Sequence, residues 1–209
     1  MVLARKLNPR KSVPDALVDA AQRLFAEQGI DRISLREVAA AAGQRNVNAV
    51  QYHFGDRAGL VRAIYERNIP ALERMRADRL AQLRVARSGA SARDLMAAFF
   101  VPLTEHVDEH GRRSYAAFQL QALESPNWRF AFTEMPDQTP VTNLIVDMIL
   151  NLRSDIPREV SARHLIYANI VFLSMIRDIE DMTVARSARE RDEIIDDTLA
   201  LVTRMCTPP

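Results

Sequence analysis

Glycine is distributed unevenly in this chain, and that placement governs what it can fold into. Six glycines occur in 209 residues: Gly29, Gly43, Gly55, Gly59, Gly89 and Gly111. Four lie between positions 29 and 59, and none follows 111. No stretch alternates apolar and polar residues between turn signals, as a half-buried strand would. Apolar residues recur instead at helical spacing along the whole chain. The pattern predicts an all-α protein with tight turns near its start and longer helices beyond.

Residues 1–13 carry Arg5, Lys6, Arg10 and Lys11 with no acid and no periodicity, which reads as a flexible basic arm. Pro14 and Asp15 open a first helix over 15–28, with Leu17, Ala21, Leu24 and Phe25 in one apolar stripe, and Gly29 stops it. Ser34-Leu35-Arg36-Glu37 fits a capping box, so a second helix starts at Ser34 and buries Leu35, Val38, Ala39 and Ala42 before Gly43. After the polar turn Gln44-Arg45-Asn46, a third short helix over 47–53 faces Val50 and Phe54 inward. Asp56 caps a fourth helix carrying Leu60, Val61 and Ile64. Pro70 lacks the N–H that a helix interior needs, so this helix kinks there, or ends near Asn68 with a new one beginning at Pro70. The domain boundary is placed at this point. Further helices are predicted over 70–87, 91–110, 113–124, 127–133, 139–153, 157–181 and 188–206.

Two short helices joined by a tight turn and braced by a preceding helix form a helix-turn-helix. With Val50 and Phe54 as inner anchors, the outward set is Asn48, Gln51, Tyr52 and His53, with Gln44, Arg45 and Asn46 just before it and Ser34 and Arg36 on the second helix. Asn and Gln can bond adenine edges through two hydrogen bonds, and Arg can do the same for guanine. Hydroxyls and helix N-termini hold phosphates. The plain alternative is an ordinary helical hairpin.

The segment 16–65 resembles the DNA-binding head of TetR-type transcriptional regulators. The resemblance rests on LFAEQG at 24–29, the Ser34-led VAAAAG at 38–43, the Tyr52-His53-Phe54 triplet, and Asp56-Arg57 before Leu60. The chain departs from the family pattern in having one more residue between Gly43 and Phe54, at the turn 44–47, and in Gln51 standing where Tyr is common. Carried over by position, the resemblance implies phosphate contacts by Ser34, Tyr52, His53 and Arg57, and base readout by Arg45, Asn48 and Gln51. It also implies a fold with a helix-turn-helix DNA-binding domain over 14–67 and a helical effector-binding and dimerisation domain over 68–209. The implied protein is a homodimer on a palindromic double-stranded operator, released by a small-molecule effector.

Taken as a total, net charge argues against a nucleic-acid partner, since 28 Lys/Arg stand against 27 Asp/Glu. Divided at the boundary, however, residues 1–67 hold 11 basic and 7 acidic side chains, and residues 68–209 hold 17 and 20. The basic excess therefore sits on the head, where phosphates would be met. The arm either reaches a groove, as basic arms of related motifs do, or is a solvated tail.

In the remainder, seven of the 13 aromatics fall between 99 and 132. Phe99, Tyr115, Phe118, Gln119, Trp128 and Phe172 are candidates to line an effector pocket, against the plain reading of core aromatics. On the last two helices, Leu165, Ile166, Ile170, Leu173, Ile195, Leu199 and Val202 are candidates for dimerisation, because a helix apolar nearly all round must be buried on several sides. His106-Val107-Asp108-Glu109-His110 matches the H-x-x-E-H zinc pattern, but no third ligand is evident and Gly111 follows at once, so a charged helix end is the expectation. No nucleophile triad or phosphate loop is spaced for catalysis, and neither metal nor cofactor is expected. Cys206 stands alone, and the basic start lacks a following apolar stretch, so no disulfide and no secretory leader are expected. With no apolar run long enough to span a bilayer, the expected setting is the cytoplasm. The competing reading is a helical small-molecule or metal-binding module whose helix pair is structural.

Overall fold

The structure is a computed structural model that describes residues 11–46, 48–85, 90–129, 131, 135–181 and 187–208. The basic arm expected over 1–13 lies outside them up to residue 10, as do Val47 at the start of the predicted third helix and two of the clustered aromatics, Phe130 and Phe132. Among the described residues every regular element is helical.

Helix α1 (Val13–Gln28) begins where the Ser12 hydroxyl accepts from Asp15 N, and ends at Gly29, whose φ of 91° only glycine adopts readily. Its stripe of Leu17, Ala21 and Phe25 is fully buried. Helix α2 (Leu35–Ala41) and helix α3 (Ala49–Phe54) follow on the two sides of the polar turn. Helix α4 (Arg57–Val85) runs without a break through Pro70. Of the two outcomes left open at Pro70, a new helix beginning there is thereby ruled out. The proline ring is exposed, while its neighbours Ile69 and Leu72 are buried, so packing on both sides holds the helix across the missing hydrogen bond.

Helix α5 (Ala92–Glu105), opened by a second capping box at Ser91 and Asp94, is shorter than the predicted 91–110. Asp108 accepts backbone N–H groups from His110 at 2.8 Å and Arg112 at 3.0 Å and so folds the chain into a turn. Helix α6 (Ser114–Glu124) matches its prediction. The helix predicted over 127–133 does not form at its described start: residues 126–129 are a turn. Helix α7 (Pro140–Leu150) passes into one 3-10 turn, Asn151–Arg153. Helices α8 (Arg158–Asp181) and α9 (Ala188–Cys206) form a long antiparallel pair, α9 being opened by a third capping box at Ser187 and Glu190. Cys206 is buried at the end of α9, where burial pushes its thiol up to about 11.

Helices α1 to α3 pack around the start of α4, and α1 lies along α6. The buried apolar side chains of head and body, from Leu17 to Cys206, form one continuous cluster. Fold stability is thus shared between the two predicted domains.

Candidate nucleic-acid interface

The geometry of the helix pair starts at Ser34. Its hydroxyl accepts from Glu37 N at 3.2 Å, and the Glu37 carboxylate accepts from Ser34 N at 2.8 Å. The Ser34 O–H, which donates to the same carboxylate at 2.6 Å, and then the Ser34 N–H hold the Glu37 carboxyl below its usual pKa. On the inner side Val38, Ala39, Ala49 and Val50 are buried. The turn is set locally: Asn46 Oδ1 accepts from Asn48 N at 3.0 Å, and Gln44 Nε2 donates to Ala42 O at 3.1 Å. Gln44 is thereby half-buried against the end of α2. Ser34, Arg36, Arg45, Asn46, Asn48, Gln51, Tyr52 and His53 are all exposed. Tyr52 is 83% exposed, the largest value among the large apolar side chains of the described residues, and its ring stands edge-on to His53 at 4.9 Å.

Arg57 is placed differently from the expectation. Its guanidinium turns inward, donating to Ile30 O and to Ile33 O, the latter at 2.6 Å, and lies 6.0 Å from the centre of the Phe25 ring. It braces the loop before α2 against α4, which is a positioning role.

Gly59 was missed in the sequence. A Cβ built there would lie 2.0 Å from Phe54 O, a backbone atom that cannot rotate away. Only hydrogen lets α4 pass this close to the end of α3. Gly59→Ala is therefore expected to push α3 out of line and lower stability by about 1–3 kcal/mol, measured by urea unfolding alongside DNA affinity.

The head meets the body through two polar joints. Asp31, in the loop after α1, accepts from Trp128 Nε1 at 2.8 Å and Ser125 Oγ at 3.0 Å, and the Trp128 bond leads the causes that hold its carboxyl below the usual range. Trp128 is thus a clamp on the head, half-buried in the turn 126–129 and packed against the edge of the core. In the second joint, buried Asn68 donates to Gln22 Oε1 at 2.8 Å and to Ile64 O at 2.7 Å, its Oδ1 faces His106 Nε2 at 2.8 Å, and Gln22 Nε2 donates to Ser114 Oγ at 2.8 Å. A cleft of about 460 Å³ lies over this joint, closed at its rim by Lys11 between Asp19 at 2.5 Å and Glu109 at 2.6 Å.

The zinc-like pentapeptide does not lie on a helix. Helix α5 ends before it, so His106 and His110 do not share a helix face, and His106 is turned to Asn68. Among the described residues no group of three or more His, Cys, Asp or Glu is arranged to hold a metal.

Of the effector candidates, Phe99, Tyr115, Phe118, Gln119 and Phe172 are all buried in the body. Phe100 stacks on Phe172 at 4.7 Å and meets Phe99 edge-on at 4.8 Å, while Tyr115 and Phe118 lie 6.2 Å apart. Of the dimerisation candidates, Leu165, Leu173, Leu199 and Val202 are buried within the chain. Ile166, Ile170 and Ile195 are half-buried, beside exposed Tyr167 and Leu201. The outward apolar face of α8 and α9 is therefore narrower than the sequence suggested.

Comparison with known proteins places this geometry. Residues 17–64 match the model of bacterial regulatory proteins, tetR family. No curated protein matches the sequence. Among solved structures, a tetR family transcription regulator from Shewanella sp. PV-4 is 16% identical, with a TM-score of 0.61 over 93% of this chain and 97% of that one. NalD, the secondary repressor of the MexAB-OprM multidrug efflux pump in Pseudomonas aeruginosa, is 17% identical, with a TM-score of 0.53 over 92% and 96%. A transcriptional regulator from Rhodococcus sp. RHA1 is 18% identical, with a TM-score of 0.50 over 94% and 97%. At these identities the likeness speaks for the fold of the whole chain, and the match over residues 17–64 speaks for its head. Residues 17–64 thus carry the helix-turn-helix head of the tetR family, and the chain as a whole has the helical fold of the compared structures.

Proposed function

We propose that the chain is a homodimeric repressor, working in the cytoplasm without catalysis, that binds a palindromic operator and is released by a small-molecule effector. The observation that carries this reading is the outward face of α3, where Gln51, Tyr52 and His53 stand exposed above the buried anchors Ala49 and Val50. Such a helix is short enough to enter a major groove end-on and presents both base-reading and phosphate-holding groups. The basic excess of the head gives it the charge to approach phosphates. Two heads are needed because a single short helix reads few base pairs, and the partly exposed face of α8 and α9, with Ile166, Ile170 and Ile195, is the surface offered for pairing. No described helix is long and apolar enough to cross a membrane.

Selection from random duplex DNA tests the reading. A two-fold symmetric site is expected to be enriched. Gln51→Ala is expected to shift the preferred bases, with about 1–3 kcal/mol of discrimination lost at the positions it reads. Tyr52→Ala is expected to weaken all sequences alike. Enrichment of no symmetric site would refute the repressor assignment.

A further inference from the structure

Position 76 breaks the pattern of α4. Ile69, Leu72 and Leu80 mark its buried stripe through the body, and Arg76 occupies the same stripe at 4% exposure. Burial pushes the guanidinium pKa down, but an arginine stays charged even so. Its head lies over the Phe99 ring, 4.9 Å from the ring centre. Nε and Nη2 both donate to Phe99 O at 3.2 Å, and Nη1 donates to Thr142 Oγ1 at 2.7 Å.

These acceptors are neutral and have other work. Phe99 O sits inside α5, and Thr142 Oγ1 donates to Glu73. Glu73, one turn before Arg76, accepts from Val141 N at 2.8 Å and Thr142 N at 3.1 Å, capping α7. It bears on Arg76 only through space. Among the described residues no carboxylate comes within ion-pair distance of Arg76.

In the same core lies Tyr115, 1% exposed, whose hydroxyl has no partner. The Arg76 guanidinium lies within electrostatic range of Tyr115, whose burial keeps its hydroxyl protonated. One turn along α6, buried Gln119 Oε1 is also without a partner. A core built only for packing would place an apolar side chain at 76 and leave no orphaned hydroxyl beside it.

We propose that Arg76 and Tyr115 hold the carboxylate of a small organic acid whose apolar remainder lies among Phe99, Phe118 and Phe172. Gln119 Oε1 accepts from a hydroxyl or N–H on the same molecule. The inference rests on the effector-responsive reading above and gives that effector its chemical class. Arg supplies two parallel N–H donors to a carboxylate, and the tyrosine hydroxyl supplies a third. The rings fill this volume in the present structure, so the acid enters by displacing one. Phe118 packs on Tyr65 of α4 at 5.2 Å, so its displacement reaches the helix that carries the head.

Calorimetry and thermal shift on the full chain provide the test, with benzoate, phenylacetate and octanoate set against benzamide, phenylacetamide and octanamide. At least one acid is expected to bind, with its amide about tenfold weaker or more. Arg76→Met is expected to lose about tenfold or more in affinity for the acid while keeping the melting temperature of the free protein, because it removes a buried charge at nearly constant volume. Tyr115→Phe, which preserves the core shape, is expected to weaken the acid roughly threefold or more, and it carries the test if Arg76→Met does not fold. The site is overturned if no acid binds, if amides bind as well as acids, or if both variants bind the acid unchanged. Operator selection run beside it separates the two readings. An operator enriched by a protein that binds no acid overturns the site and leaves DNA binding intact. Acid binding with no operator enriched upholds the site and overturns the repressor assignment.

Discussion

Phe25→Ala is expected to cost about 3–5 kcal/mol and to abolish DNA binding at temperatures where the parent protein is folded. Phe25 is fully buried where α1, the loop before α2 and the start of α4 converge. The Arg57 guanidinium lies over its ring while bonding to Ile30 O and Ile33 O. Removing the ring leaves a cavity and withdraws the surface on which that brace rests. Because buried side chains of head and body belong to one cluster, denaturant unfolding should remain a single transition with a lowered midpoint. Two separated transitions, with the body at its original midpoint, would show instead that the head melts alone.

The second large effect concerns the joint at Asn68. Asn68→Leu is expected to destabilise the protein by about 1–3 kcal/mol for each polar group it leaves without a partner, and it leaves two, Gln22 Oε1 and His106 Nε2. The same joint makes stability depend on pH. Burial holds the His106 pKa below its usual 6.5, so the folded protein favours the neutral ring. The unfolded chain binds the proton more readily. Stability from this group is therefore full above pH 6.5 and falls as pH drops from there through the lower folded value. Melting temperatures between pH 8 and pH 5 should show this decline, and His106→Gln should remove that component. An identical pH profile for the variant would place the acid sensitivity elsewhere.

Much of the head could be read from the residues. The stripe of α1, the Ser34–Glu37 box and the inward Val50 are local patterns, and local patterns survive into the fold. What failed depended on tertiary packing. Pro70 carries a strong breaking signal, yet α4 continues because buried Ile69 and Leu72 flank it. The end of α5 was misplaced because the backbone bonds accepted by Asp108 compete with the helix, and composition alone does not reveal that competition. The motif places Arg57 on DNA and the clustering of aromatics places Trp128 by an effector, but neither signal gives a direction. The structure turns one into the head and the other onto Asp31. Arg76 did leave a trace, since it falls in register with Ile69, Leu72 and Leu80, but a charged residue in an apolar stripe reads as an interruption until its burial is known.

The unbroken α4 has a mechanical consequence. Twenty-nine residues of helix span roughly 43 Å at about 1.5 Å per residue, so the helix acts as a beam with the head at one end and the body's buried polar groups at the other. Tilting such a beam by about 5° about one end carries the other through roughly 4 Å. Pro70 sits near the middle and leaves the Glu66 carbonyl without its helical donor, which makes this the point of least bending stiffness. A displacement of one side chain in the body is then geared up along α4. In a two-headed assembly, opposite tilts would add, which is enough to take two recognition helices out of step with grooves one helical turn apart.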